Sequence, residues 1–249
     1  MINISRTATL TPYLLAVFED GRRHPAVIIL PGGGYVYTTP HEAAPVAAMF
    51  NTVDCQSFVL DYTTYTKDPQ VTNDMMLEEV KQSLELLKKN ADQWHIDTSR
   101  LYLCGFSAGG HLAALASNEY PDEIDRVILG YAALDLKGHT IQRGNIGEGF
   151  QGNLSEVAKL FARKPIDSVS AKTPRTFLWH TYEDTQVPVA SSYEYLHKLV
   201  ENGVACEAHI YQKGKHGMSL ASRASAKSPD EIDHHLVSWV QLTGEWIYQ

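Results

Sequence analysis

Six strand-like runs recur along the chain, each separated from the next by enough residues for a helix. They are residues 26–30 (Ala-Val-Ile-Ile-Leu), 57–60, 101–104, 127–131, 176–180 and 206–211. This alternation constrains the fold more than any other feature. A continuous apolar run such as 26–30 reads as a strand buried on both faces, and strands that alternate with helices argue for a parallel sheet covered on both sides. The clearest helix spans residues 72–90, where Met76, Val80, Leu84 and Leu87 recur at i, i+4, i+8 and i+11. Further helices are expected over 41–51, as an Ala-rich stretch after Gly105-Phe-Ser-Ala-Gly-Gly110 that ends before Pro121, over 189–202 with Gly203 as the stop, and over 229–243. Ahead of these, residues 7–10 and 14–18 read as two short strands broken at Pro12 and at the turn Asp20-Gly21. The expected class is α/β: a mostly parallel, twisted central sheet with helices on both faces.

The 249 residues suffice for one large core and are expected to form a single domain, 1–249. A small cap-like insertion is expected at about 138–165, after the sixth strand, with a short helix over 155–162. The literal GxGxxG pattern Gly147-Glu-Gly149-Phe-Gln-Gly152 follows no clear strand, so it does not predict dinucleotide binding. A net charge of −8 argues against a broad electrostatic grip on nucleic acid. Cys55, Cys104 and Cys206 are far apart, form no CxxC pair and sit in or beside apolar runs, which predicts buried, reduced thiols. The first residues show no basic stretch leading to an apolar core and cleavage site, and no apolar run reaches membrane-spanning length. A cytoplasmic protein with no membrane partner is the expectation.

In an open parallel sheet, reactive groups collect in the loops beyond the strand C-termini, and the chemically informative residues fall there. Gly105-Phe-Ser107-Ala-Gly109 matches GxSxG between a strand and a helix, the context in which a sharp turn lifts a serine hydroxyl to the top of the sheet. Ser107 is the expected nucleophile. Pro31-Gly-Gly-Gly-Tyr35 follows the strand at 26–30 and would let backbone N–H groups approach a developing oxyanion. Gly33 and Gly34 are the expected donors, with the Ala108 N–H completing the hole. No Lys-Ser or Lys-Thr closes this glycine run, so it is not a P-loop.

Of eleven histidines, His216 lies in the loop directly after the last strand, where an imidazole can reach Ser107. His180, at a strand end, is its nearest competitor, although a neutral structural role beside the acid suits it better. His111, on the helix after Ser107, is expected to pack behind it, and the adjacent pair His234-His235 makes a poor metal site. Asp184 follows the strand at 176–180 and is the expected acid; Asp135 is its main rival, and Glu183 points poorly if Asp184 points in. Tyr35 and Phe150 are the expected substrate contacts, with Phe161 an alternative wall. No metal or organic cofactor is called for.

These motifs resemble the α/β-hydrolase superfamily over nearly the whole chain. They resemble more closely the small bacterial acetylesterases related to acetyl-xylan esterases, some of which carry lipase/esterase or xylanase-like labels. The residues that carry the resemblance are 31–35, Glu42-Ala-Ala-Pro-Val-Ala47, Phe58-Val-Leu-Asp-Tyr62, 105–112 and the loops of Asp184 and His216. The order serine, aspartate, histidine matches the superfamily. Pro31 departs from the histidine that precedes the three glycines in hormone-sensitive-lipase-like relatives, and Ser107 stands where dienelactone hydrolases use cysteine. A true xylanase would need a carboxylate pair across a glycosidic bond, and no convincing pair is present. The resemblance implies a serine carboxylesterase acting on short acyl esters, with acetylated sugars or small oligosaccharides as substrates. A peptidase on the same fold and a non-catalytic ligand-binding member are the alternatives. Relatives of this type often self-associate, which leaves a homo-oligomer open.

Overall fold

The computed structural model describes residues 1–16, 21–136 and 150–249. Eight strands form one sheet: β1 (Ile2–Asn3), β2 (Thr9–Tyr13), β3 (His24–Leu30), β4 (Gln56–Asp61), β5 (Ile96–Phe106), β6 (Arg126–Gly130), β7 (Arg175–Thr181) and β8 (Cys206–Tyr211). Their order is β1-β2-β4-β3-β5-β6-β7-β8. β2 runs antiparallel to β1 and β4, and every pairing from β4 to β8 is parallel.

Both faces of the sheet are covered, as runs that are apolar at every position require. Along β3, Ala26, Ile28 and Leu30 face one core, whereas Val27 and Ile29 face the other. The first core is closed by helix α2 (Asn73–Lys89), helix α3 (Ser107–Glu119) and helix α5 (Val189–Glu201). The second is closed by α1 (Ala44–Thr52) and α6 (Ser238–Trp246), with Phe50, Trp239 and Trp246 packed against Phe106, Phe177 and Trp179. Met76, Val80, Leu84 and Leu87 of α2 all lie in the core, as their spacing predicts; each contributes about 1.5–3 kcal/mol by leaving water. Thr72 caps α2 by accepting from the Met75 N–H. A short helix, α4 (Leu154–Lys159), lies between β6 and β7.

The chain leaves β3 over one face through α1 to reach β4, then returns over the other face through α2 to β5, on the opposite side of β3. Successive connections therefore diverge between β3 and β5, and the crevice beyond the C-terminal ends of those two strands is the switch point where such sheets bind ligands. Leu30 is in register with Gly105, so the glycine run and the GxSxG turn emerge side by side.

Three boundaries differ from expectation. Residues 14–16 are not a strand: β2 continues through Pro12 to Tyr13, after which the Leu15 N–H donates to the Gln56 side chain. Residues 17–18 lie outside the described residues. Pro12 is tolerated because β1 pairs only with Thr9 and Leu10, leaving one side of β2 open there. The helix expected over 229–243 is a 3-10 turn, Pro229–Glu231, followed only later by α6. Asp233 Oδ1 accepts from the N–H groups of His235 and Leu236, the pattern of an N-cap, so helical geometry starts afresh after Asp233 instead of running on from Pro229. The expected helix over 41–51 is likewise split at Ala43 into a 3-10 turn, Pro40–Glu42, and α1.

The first part of the expected insertion, including Gly147 and Gly149, lies outside the described residues. Cys55 and Cys104 are buried and Cys206 is half-buried, contrary to its expected full burial; all three are free. Among the described residues no helix is long and apolar enough to cross a membrane.

Candidate active site

β5 passes into α3 without a loop: Phe106 is the last strand residue and Ser107 the first helical one. The turn is so sharp that Ser107 adopts φ 51°, a left-handed conformation costing a non-glycine residue about 1–3 kcal/mol. The neighbouring packing imposes it. A Cβ on Gly109 would stand 2.0 Å from the Leu30 carbonyl oxygen, so only glycine lets α3 lie this close to the end of β3. On the other side, the Ala133 N–H donates to the Ser107 carbonyl at 3.1 Å.

The Ser107 hydroxyl faces His216. Its Oγ lies 2.8 Å from His216 Nε2, and His216 Nδ1 lies 2.6 Å from Asp184 Oδ2. Asp184 Oδ1 accepts from the N–H groups of Gln186 and Val187 at 2.8 and 2.9 Å. Burial pushes the Asp184 carboxyl up. Hydrogen bonds from His180 and His216 outweigh it, together with the field of His216 and the Val187 N–H, and hold the group well below the usual carboxylate range. The structure thus brings together the three side chains that the sequence places more than seventy residues apart, from Ser107 to Asp184, and another thirty-two to His216.

His180 also reaches Asp184. Its Nε2 is 3.1 Å from Asp184 Oδ2 and its Nδ1 is 2.7 Å from Ser192 Oγ, a fully buried support for the carboxylate rather than a rival base. Asp135 is turned elsewhere, with Lys164 Nζ 3.1 Å from its Oδ1. Glu183 accepts from the Gly214 N–H at 3.4 Å and takes no part in the chain from Ser107 to Asp184.

The glycine run lies against the serine. A Cβ built on Gly32 would stand 2.9 Å from Ser107 Cβ. The Gly32 N–H is already committed to Glu42 Oε2 at 2.6 Å, so donors to an oxyanion must come from later in the loop. Gly33, at φ 126°, must be glycine, because a Cβ there would meet the Tyr37 carbonyl oxygen at 2.0 Å. Among the described residues, the N–H groups of Gly33, Gly34 and Ala108 have no protein acceptor. No side chain caps α3, so its first turn also presents free N–H groups and the positive end of its dipole.

Both expected substrate contacts are buried. The Tyr35 ring is fully buried and its hydroxyl is 2.6 Å from His111 Nδ1; both rings pack against Phe161. Phe150 is 9% exposed and closes a small apolar cluster with Val36, Val157 and Tyr65. Both rings are held inward because apolar neighbours surround them. Tyr37 is the exposed aromatic of this loop: it is 42% exposed, and its Cδ2 is 3.2 Å from where a Gly33 Cβ would stand. Sequence reasoning gave neither Glu42 nor Tyr131 a role of its own, and the hydrogen bond that joins them spans 89 residues. Among the described residues no cluster of side chains is arranged to hold a metal ion.

A free serine Oγ bonded to an imidazole, with unpaired N–H groups beside it, is suited to acyl transfer. Residues 55–243 match the model of the prolyl oligopeptidase family. The chain belongs to that family. Among solved structures, a sugar hydrolase from Lactococcus lactis superposes with a TM-score of 0.86 at 32% identity, covering 99% of this chain and 96% of that one. An acetyl ester-xyloside bifunctional hydrolase from Caldicellulosiruptor lactoaceticus gives a TM-score of 0.78 at 30% identity, with 96% and 86% covered. An acetylxylan esterase of Xylanibacter ruminicola is 24% identical over 222 residues, which are 87% of this chain and 45% of that protein. The chain spans between 35% and 57% of the curated relatives it matches. The resemblance read from the motifs is borne out, and this member of the prolyl oligopeptidase family has the α/β-hydrolase fold.

Proposed function

We propose that the protein is a serine carboxylesterase that removes short acyl groups, above all acetyl groups, from sugars or small oligosaccharides. The observation that carries this reading is the unbroken chain of hydrogen bonds Ser107–His216–Asp184 beside free N–H groups at the sheet's switch point. Ser107 Oγ attacks the ester carbonyl while His216 Nε2 takes its proton. Asp184 holds the imidazole by Nδ1 and stabilises the imidazolium. The N–H groups of Gly33, Gly34 and Ala108 receive the oxyanion. His216 then protonates the leaving alcohol, and water, activated by the same imidazole, releases the acid from the acyl-enzyme.

The named activities of the structural relatives, sugar hydrolysis and acetyl-ester hydrolysis, favour the sugar acetate over a long-chain lipid. The exposed Tyr37 ring beside Gly33 offers an aromatic wall for a sugar ring. The test is hydrolysis of p-nitrophenyl esters from acetate to octanoate and of acetylated xylo-oligosaccharides, wild type beside Ser107→Ala, with fluorophosphonate labelling. Acetate turnover and a label that both vanish in Ser107→Ala are expected. A preference for octanoate would overturn the acetyl assignment, and activity surviving in Ser107→Ala would overturn the nucleophile. The match to a family named for a peptidase favours a second reading, cleavage of peptides by the same groups. Turnover of a peptide panel without any ester turnover would replace the esterase reading with that one.

A further inference from the structure

Glu42 carries a carboxylate into a place where packing alone needs no charge. Its side chain is 2% exposed, in the 3-10 turn Pro40–Glu42. A buried carboxylate survives only when donors surround it, and apolar side chains fill such space at least as well when nothing but packing is required. The donors come from two different loops. From the loop after β3, the Gly32 N–H donates to Oε2 at 2.6 Å and the Thr39 hydroxyl donates to the same oxygen. From the loop after β6, the Tyr131 hydroxyl donates to Oε1 at 2.5 Å.

Tyr131 then hands the connection to a third loop. Its hydroxyl oxygen accepts from the Ser219 N–H at 3.0 Å, three residues beyond His216, and its ring meets the His216 imidazole edge-on at a centroid distance of 5.0 Å. The Ser219 hydroxyl donates to the His41 carbonyl at 2.7 Å, which closes a ring of hydrogen bonds back to the turn that carries Glu42. Burial and the adjacent Glu42 carboxylate push the Tyr131 phenol well above its ordinary range, so it remains a neutral donor.

We propose that Glu42 is a positioning residue that sets the oxyanion loop and the His216 loop in register with Ser107, through Gly32 on one side and Tyr131 on the other. The assignment rests on the serine-hydrolase reading above and adds to it a group that never touches substrate. Fixing the donors and the base relative to the nucleophile matters most at the transition state, where small displacements are magnified. Losing the tie is therefore expected to act on kcat and to spare KM.

The experiment compares wild type, Glu42→Gln, Tyr131→Phe and the double variant. Readouts are kcat and KM for p-nitrophenyl acetate, the second-order rate of fluorophosphonate labelling, and Tm. Glu42→Gln keeps the shape but turns one acceptor into a donor. A fall in kcat on the order of 10²-fold is expected, with KM within about threefold and labelling slowed in parallel. Tyr131→Phe is expected to lose about tenfold. The double variant should lose less than the product of the two single losses, because both changes break the Glu42–Tyr131 hydrogen bond. Unchanged labelling rates in folded variants that merely melt earlier would reduce Glu42 to a stabilising role and overturn the proposal. If Glu42→Gln does not fold, Tyr131→Phe decides alone, and an unaltered labelling rate there overturns it. Labelling does not depend on choosing the right ester. A wild type that takes no label removes the serine-hydrolase reading itself, whereas equal labelling of wild type and variants removes only the role of Glu42.

Discussion

At Asp184, one carboxylate serves two imidazoles and two backbone N–H groups. His180 and His216 share Oδ2, while Gln186 and Val187 hold Oδ1. Asp184→Asn preserves the volume but offers an amide where His216 needs an acceptor, which favours the wrong tautomer. A loss of about 10³–10⁴-fold in kcat is expected, with little change in KM, measurable on p-nitrophenyl acetate. A loss below tenfold would mean that another group orients His216. Residues such as Ser107 were legible because their chemistry is written locally: two glycines flank the serine, between an apolar run and a helix. Glu42 was not. Its three donors lie 3, 10 and 89 residues away, so nothing in Pro-His-Glu-Ala announces which groups surround the carboxylate. Tyr35 is the converse case. Its position beside the glycine run was legible, but φ 63° turns its ring into the core.

At the scale of elements, the turn from β5 into α3 depends on how closely the helix approaches β3. Gly109→Ala would drive a methyl group to 2.0 Å from the Leu30 carbonyl oxygen and 2.4 Å from that of Pro31, and neither is a flexible side-chain end. The helix must move away, taking Ser107 and the Ala108 N–H with it. A destabilisation of about 1–3 kcal/mol or more is expected in urea unfolding, together with a loss of fluorophosphonate labelling in the fraction that remains folded. Full labelling and an unchanged midpoint would show that the elbow tolerates the displacement. Helix α2 was readable end to end, since its cap and its apolar stripe agree. The region 229–243 was not, because Asp233 caps a new helical turn inside it and so divides the expected helix.

At the scale of the whole molecule, two buried groups make stability fall in acid. Burial drives the His111 imidazole down to about 3 from an ordinary 6.5, so the unfolded chain binds a proton there that the folded chain refuses. The folded state keeps its full stability above about pH 6.5 and loses about 1.4 kcal/mol per pH unit from this group as the pH falls from there toward 3. Asp184 acts in the same direction but lower. Its carboxyl is held below the ordinary value, so its contribution is present above about pH 4 and is lost as the pH falls further. Urea unfolding of wild type and His111→Gln across pH 4–7 checks the first group. The variant should show a flatter slope, and parallel slopes would show that His111 does not govern the acid limb.

The sequence by itself determined the α/β class, most strand positions, the elbow at Ser107 and the three side chains of the hydrogen-bonded chain. Each of these is encoded by local pattern: apolar periodicity, glycine where a turn is tight, and a polar residue just past a strand. Only the tertiary structure decided how the groups meet. It placed β3 beside β5, so that the glycine run abuts the serine. It turned Tyr35 and Phe150 inward, left Tyr37 exposed, and surrounded Glu42 with donors from separate loops. Those outcomes depend on contacts between residues far apart in the chain, where the free energy of a side chain is set by its neighbours in space rather than by its neighbours in sequence.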